Sequence, residues 1–128
     1  MAAFMGNFEA QTYAALRIIA GLLFLAHGIQ KLVGWPIGVP EGMMPDALRW
    51  TAGSIEMLGG LAIAVGFRTR WAAFVCSGMM AAAYWMAHGL AHWAPIVNQG
   101  ELAVLYCFTF LYIAAKGPGI WSVDGGGR

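Results

Sequence analysis

The sequence predicts an all-α, polytopic membrane protein, a bundle of four transmembrane helices that forms a single domain over residues 1–128. Two observations predict this fold class. The 128-residue chain is 60% hydrophobic and only 10% charged, whereas soluble domains average about 25% charged residues. Four apolar segments are also long enough, at about 20 residues each, to cross a bilayer as helices. The lipid bilayer is therefore the expected partner, and a net charge of +1 gives no reason to expect nucleic acid.

The predicted spans are separated by connectors rich in glycine, proline or charge. The first span covers about residues 13–33 and the second about residues 47–67. The third covers about residues 71–90, follows a tight basic turn and contains no Lys, Arg, Asp or Glu. The fourth covers about residues 99–115, after a connector that contains Pro95, and a turn-rich tail follows it.

Basic residues predict the orientation, because lysine and arginine are in excess on the cytoplasmic side of membrane proteins. Five of the seven basic residues fall on the side that holds both termini and the second connector, whereas Lys31 and Arg49 fall on the other side. The sequence therefore predicts that both termini face the cytoplasm. Arg17 and the other inner arginines are expected to hold lipid headgroups.

Polar residues gather in the outer half of the predicted bundle. At a rise of about 1.5 Å per residue, His27 lies about 9 Å below the outer end of the first span, and Glu56 lies about 13 Å deep in the second. Lys31 lies near the surface, four residues after His27 on the same helix face. Because intramembrane acids are costly, Glu56 is interpreted either as a structural ion pair or hydrogen-bonded acid, or as a carboxylate that handles a ligand or a proton.

Further candidates lie at the outer ends of the third and fourth spans. His88 and His92 are four residues apart, a spacing that lets one metal ion take both side chains. A divalent metal would recruit His27 or a glutamate as a further ligand, and a haem held by His27 and His88 is a second geometric alternative. Asn98 and Glu101 stand at the start of the fourth span and complete the polar set.

A short internal repeat relates the first and third spans. Both end in an Ala-His-Gly sequence, centred on His27 and His88, and each is followed by a span that bears one acid, Glu56 or Glu101. This pattern is typical of a parallel repeat about an axis along the membrane normal. It would place His27 opposite His88 around a central cavity in the outer leaflet.

The chain carries no motif for a redox cofactor of its own. It has no flavin or nicotinamide fingerprint and no iron–sulfur set of cysteines. Cys76 and Cys107 lie 31 residues apart in apolar runs, outside any CxxC pair, and are interpreted as two buried free thiols. Electron transfer would therefore need a partner or a bound cofactor.

Several short motifs occur in a fixed order along residues 13–124. They are Arg17-Ile18, His27-Gly28, Lys31-Leu32, Glu56-Met57-Leu58-Gly59-Gly60, Gly66-Phe67-Arg68-Thr69-Arg70, Asn98-Gln99-Gly100-Glu101 and Gly117-Pro118-Gly119-Ile120-Trp121-Ser122-Val123-Asp124. By the order and spacing of these motifs, the chain resembles the DoxX family of small bacterial membrane proteins. His88 and His92 do not belong to this pattern.

The resemblance implies a four-helix protein of the bacterial cytoplasmic (inner) membrane. Members of the family include a subunit of a thiosulfate:quinone oxidoreductase, and others associate with membrane redox or stress-defence partners. The leading prediction is therefore a membrane subunit of a quinone-linked redox system, with a membrane or periplasmic protein partner. A quinone head needs hydrogen-bond donors and a proton acceptor beside an apolar cavity. The predicted catalytic residues are Glu56 and His27, and the predicted cofactor-binding residues are His27, Lys31, Glu56, Glu101 and Asn98.

Two other functions stay open at the level of the sequence. The first is a metal- or small-solute-binding membrane protein, which the pair His88 and His92 with Glu101 would favour. The second is a non-catalytic anchor or assembly subunit, in which Glu56 serves helix packing. Small residues in the second and third spans, such as Gly53, Gly60 and Gly78, permit close helix approach and would also permit a homo-oligomer.

Overall fold

The computed structural model describes residues 3–125, and all of the regular secondary structure in this part of the chain is helical. The helices are α1 (Glu9–Leu32), α2 (Asp46–Val65), α3 (Thr69–Tyr84), α4 (Pro95–Asn98) and α5 (Glu101–Lys116). A 3₁₀ turn (Gly6–Phe8) precedes α1, and a π-helical turn (Trp85–Gly89) continues α3. The all-α class is thus confirmed, and each long helix overlaps one predicted span.

The number of membrane crossings stays a prediction. Among the described residues, one helical stretch, Gly6–Leu32, is long and apolar enough by itself to cross a membrane. Helix α2 has 20 residues but includes Asp46, Arg49 and Glu56, and α3 and α5 have 16 residues each. These three helices are therefore shorter or more polar than a typical span of about 20 apolar residues.

The long helices pack as two close pairs. Helix α1 runs along α2 and α3 runs along α5, and α2 also contacts α3. Aromatic rings connect α1 to α5, where the ring centroids of Phe24 and Phe110 lie 4.8 Å apart. The buried core between the pairs consists of Tyr13, Ala20, Phe24, Ile63, Ala73, Cys76, Tyr106, Phe110 and Ile113.

Glycines bring the backbones of α1 and α2 into direct contact. A Cβ atom on Gly21 would lie 2.5 Å from the backbone nitrogen of Ala64, and one on Gly60 would lie 2.5 Å from that of Leu25. These distances leave no room for a side chain, so the helix pair depends on glycine at both positions. The expected close approach through small residues therefore occurs at Gly60, whereas a Cβ on Gly78 of α3 would meet open space.

The tail, residues 117–125, folds back over one end of the helices, which is called the tail end below. The backbone N–H of Val123 donates to the carbonyl of Val65 at 3.0 Å, and that of Thr69 donates to the Asp124 carboxylate at 2.9 Å. Hydrogen bonds from the backbone N–H groups of Thr69 and Arg68 lower the pKa of Asp124 below its ordinary value of 3.8. The tail thus connects the end of α2 to the start of α3, and the opposite end of the helices is called the loop end.

Arg17 is completely buried at the tail end. Its guanidinium donates to the backbone carbonyls of Ile63 (3.0 Å), Ala64 (3.5 Å), Ile120 (3.0 Å), Trp121 (2.6 Å) and Pro118. The expectation that Arg17 holds a lipid headgroup is therefore wrong. Its donors are used by the protein because the tail folds back over the start of α1. Arg70 similarly donates hydrogen bonds to the last carbonyls of α5, including that of Ala114 at 3.0 Å.

Candidate functional site

A cavity of about 500 Å³ lies between the long helices toward the loop end. Its volume falls in the range of about 300–1,000 Å³ that is typical of small-molecule sites. The walls are mostly apolar and are formed by Phe24, His27, Lys31, Met44, Leu48, Thr51, Ala52, Ile55, Glu56, Met79, Met80, Ala82, Ala83, Met86, Ala87, His88, Gln99, Leu102, Ala103 and Tyr106. The structure thus brings His27, Lys31 and Glu56, together with His88, to one cavity.

Lys31 and Glu56 form a buried ion pair on the wall of this cavity. The Nζ atom of Lys31 lies 2.8 Å and 3.0 Å from the two carboxylate oxygens, and the side chains are 13% and 6% exposed. Lys31 therefore does not extend to the surface as its position near the end of the first span predicts. It turns inward because an unpaired buried carboxylate would cost several kcal/mol (about 3–5). The ammonium has a third N–H that the carboxylate does not use.

His27 presents an uncommitted imidazole to the same cavity. The ring is half-buried and packs edge-on against Tyr106, with centroids 6.2 Å apart. Within residues 3–125, no protein group forms a hydrogen bond with either the imidazole of His27 or the hydroxyl of Tyr106. Both groups are therefore free to bind a ligand inside the cavity.

His88 and His92 do not share the environment that their spacing predicts. The helix that would align them ends with the π-helical turn at Gly89. His88 lines the cavity, with its Nδ1 3.0 Å from the carbonyl of Asn98, whereas His92 is exposed and accepts a hydrogen bond from the N–H of Ala94. In the part of the chain that the structure describes, no three His, Cys, Asp or Glu side chains are grouped closely enough to hold a metal ion.

Asn98 and Glu101 lie outside the cavity wall. The side-chain amide of Asn98 donates to the hydroxyl of Tyr84 (2.9 Å) and to the carbonyl of His92 (2.7 Å), and its oxygen accepts from the N–H of Gly100. This amide therefore holds the connector before α5 in place. Glu101 is exposed at the first position of α5, so it is not the counterpart of the buried Glu56.

Sequence reasoning missed Tyr106 and the methionines of the cavity. Tyr106 is the aromatic residue that α5 contributes to the cavity wall, and it is 6% exposed. The available signal was a tyrosine in the middle of an apolar span, because a buried phenolic hydroxyl usually requires a partner. Met79, Met80 and Met86 gave no such signal, since apolar residues at helical spacing are indistinguishable from ordinary core.

Comparisons with known proteins identify the family. The DoxX profile matches residues 12–89, which is more than half of the chain. The chain belongs to the DoxX family. An uncharacterized protein of Haemophilus influenzae is 38% identical over 116 residues, covering 87% of each chain. Inner membrane protein YqjF of Escherichia coli is 32% identical over 120 residues, covering 84% of this chain and 85% of that protein.

No solved structure matches the chain significantly. The DoxX match includes His27, Lys31, Glu56 and His88, whereas Tyr106 lies beyond its end. The family assignment predicted from the short motifs is therefore confirmed, and the matched region includes the residues of α1, α2 and α3 that line the cavity.

The donor set of this DoxX cavity fits the head of a quinone. A quinone head is a flat ring with carbonyl oxygens that accept hydrogen bonds. Three donors line this cavity and have no other partner among the described residues: the third N–H of Lys31, the imidazole of His27 and the hydroxyl of Tyr106. Phe24 supplies an apolar surface beside them. The arrangement can therefore hold a ring, orient its oxygens and exchange protons with it.

Proposed function

We propose that this DoxX protein crosses the bacterial inner membrane four times as a single domain and binds the head of a membrane quinone in its cavity, as a subunit of a quinone-linked redox system. The observation that carries the proposal is the combination of a buried Lys31–Glu56 ion pair and an uncommitted His27 on the wall of an apolar cavity. A charge pair in an apolar surrounding brings little net stability, because the desolvation of its two ions offsets their attraction, and its presence therefore favours a functional role.

The outer faces of the long helices support a membrane location. Large apolar side chains on all four of them are about half exposed or more, among them Leu23 (53%), Leu58 (65%), Phe74 (59%) and Leu105 (65%). Soluble monomers rarely expose apolar patches of this extent, and lipid is the medium in which they are stable. Local thinning of the bilayer accommodates helices as short as α5. YqjF of Escherichia coli, a relative along most of the chain, is described as an inner membrane protein.

The charge distribution supports an orientation with the cavity in the outer half of the membrane. Arg68, Arg70 and Lys116 lie at the tail end, together with Arg17. The excess of basic residues is expected on the cytoplasmic side. The tail end, and with it both termini, is therefore assigned to the cytoplasm, and the loop end to the periplasm.

The polar groups of the cavity have distinct proposed roles. A bound quinone would supply two-electron, two-proton chemistry at this position. The N–H groups of Lys31 and His27 hold and orient a carbonyl oxygen, while Glu56 and His27 are the groups that accept or return a proton at that oxygen. Phe24 and the methionines exclude water from the ring. Electrons would come from a partner protein or from a further bound cofactor, since the sequence carries no redox-cofactor motif of its own.

Binding of a tail-less, water-soluble benzoquinone to the protein in lipid nanodiscs tests this proposal. The wild-type chain should bind about one quinone per protein, and Lys31→Met with Glu56→Met should weaken binding about 10- to 100-fold, the value of a lost charge-assisted hydrogen bond. The double substitution leaves no unpaired buried charge, and Asp46→Asn, an exposed change on α2, is the matched control. Absence of saturable binding to the wild type, or equal affinity of the double variant, would contradict the proposal.

A further inference from the structure

The cavity opens between α2 and α3, in the half of these helices that lies toward the loop end. The two helices touch toward the tail end, where a Cβ atom on Gly59 would collide with the sulfur of Cys76. Toward the loop end, Ala52 and Ile55 of α2 and Ala82 of α3 line the cavity instead. The helices therefore diverge from their contact near Gly59, and the cavity occupies the space between them.

This opening reaches the outer surface of the protein well below the loop end. Ala82 both lines the cavity and is exposed. It stands about 12 Å below Leu90 at a rise of about 1.5 Å per residue. Met86, one turn above it, is 62% exposed and lines the cavity as well. In a membrane-spanning protein, a gap at this depth faces the acyl chains of the lipid rather than water.

The polar groups of the proposed head site and the residues beside the gap form different parts of the cavity wall. Lys31 and His27 belong to α1, and the carboxylate of Glu56 reaches Lys31 from α2. Beside the gap, Ala52 and Ile55 of α2 and Met79 and Ala82 of α3 form an apolar lining. Such a division matches an amphiphile whose polar head is inside the protein and whose apolar tail leaves it sideways. The unbranched methionine side chain adapts to an irregular apolar chain.

We infer that the gap between α2 and α3 is a lateral entrance for a lipid-dissolved quinone and holds the first part of its isoprenoid tail. This inference rests on the proposed quinone site and adds a route and a second contact region to it. Entry from the bilayer requires no aqueous path, because a long-tailed quinone is dissolved in the lipid. The tail-lining residues determine the preference for tailed over tail-less quinones.

Substitution at Ala82 tests the inference, with Ala81 as the matched control. Both residues are exposed on α3, but Ala82 lines the cavity and Ala81 does not. Ala82→Phe should narrow the gap and weaken binding of a long-tailed benzoquinone about tenfold, the loss expected when about two methylene groups lose their contacts. It should leave binding of the tail-less benzoquinone nearly unchanged, and Ala81→Phe should affect neither quinone.

The possible results separate the inference from the proposed function. Equal effects of Ala82→Phe and Ala81→Phe on the long-tailed quinone, or equal weakening of both quinones by Ala82→Phe, would overturn the lateral entrance alone. If the wild type shows no saturable binding of the tail-less quinone, the proposed function itself fails. A benzoquinone with a photoreactive group on its tail provides an independent readout. Crosslinks to Met79 or Met86 support the entrance, whereas crosslinks confined to lipid-facing residues such as Leu105 overturn it.

Discussion

Removal of one member of the Lys31–Glu56 pair should destabilise the protein far more than removal of both. In Lys31→Met the carboxylate of Glu56, which is 6% exposed at its side chain, loses its only cationic neighbour within hydrogen-bond distance among the described residues. A buried charge without a partner must either be desolvated at a cost or become protonated. In Lys31→Met with Glu56→Met, no charge is left behind and the two methionines fill a similar volume.

The expected magnitude follows from the geometry of the pair. At 2.8 Å and an effective dielectric constant of about 20, the Coulomb attraction is about 6 kcal/mol. Desolvation of the two ions costs several kcal/mol each, about the same in total. The intact pair is therefore nearly neutral for stability. Breaking it from one side should cost about 3–5 kcal/mol, whereas the double substitution should return the free energy of unfolding to within about 1–2 kcal/mol of the wild type.

Reversible unfolding in mixed detergent micelles, followed by circular dichroism, measures these differences. Glu9→Gln is the matched control, because Glu9 and Lys116 form an ion pair at the surface, with a separation of 3.7 Å and 78% exposure of the Glu9 side chain. That change should cost less than about 1 kcal/mol. The reasoning is refuted if Lys31→Met costs no more than Glu9→Gln, or if the double variant is as unstable as the single one.

Three further predictions concern the helix pair and the tail end. Gly60→Ala should destabilise the protein by about 1–3 kcal/mol or more, because its Cβ would collide with the backbone of Leu25. In the same unfolding assay, the control Gly78→Ala, whose Cβ meets open space, should stabilise α3 by about 0.5–1 kcal/mol. Equal effects of the two substitutions would contradict the backbone contact. Arg17→Met should lower the free energy of unfolding by about 3 kcal/mol or more, because it leaves buried carbonyls unpaired. The control Arg68→Met, at an exposed position, should lower it by less than about 0.5 kcal/mol. An effect of Arg17→Met as small as that of Arg68→Met would refute the contact between Arg17 and the tail. The stabilisation from Asp124 should be complete above its ordinary pKa of 3.8 and lost as the pH falls through the lower pKa of the folded protein. The amide resonance of Thr69 should report this titration by NMR and lose it in Asp124→Asn, and a midpoint at or above 3.8 would contradict the capping bond.

The long helices were predictable because apolar runs of helical length dominate this sequence. The prediction and the structure differ most at the tail, for which the sequence indicates only a turn-rich segment. Its hydrogen bonds to Arg17 and Thr69 join residues more than 50 positions apart, and residue spacing carries no information about such contacts. The same limit applies to Gly21 and Gly60, whose mutual contact depends on how two helices cross.

The candidate site was predictable where depth alone decides the position. His27 and Glu56 lie within the apolar spans at similar depth, and both line the cavity. Asn98 and Glu101, which the sequence predicts as members of the same set, do not line the cavity. The connector before α5 forms a helix of its own, α4, and the side-chain amide of Asn98 is used to hold this connector in place. His88 and His92 would share one helix face only if the helix continued through both of them, but it ends at Gly89. The periodicity of the sequence does not reveal this local change.

A structure of the protein in a lipid nanodisc with a long-tailed quinone measures the central claim most directly. The account predicts the quinone ring beside Phe24, with one of its oxygens within hydrogen-bond distance of Lys31 or His27, and its tail leaving between α2 and α3. A cavity that is filled by lipid acyl chains alone, or a quinone that binds only on the lipid-facing surface of the helices, would contradict it.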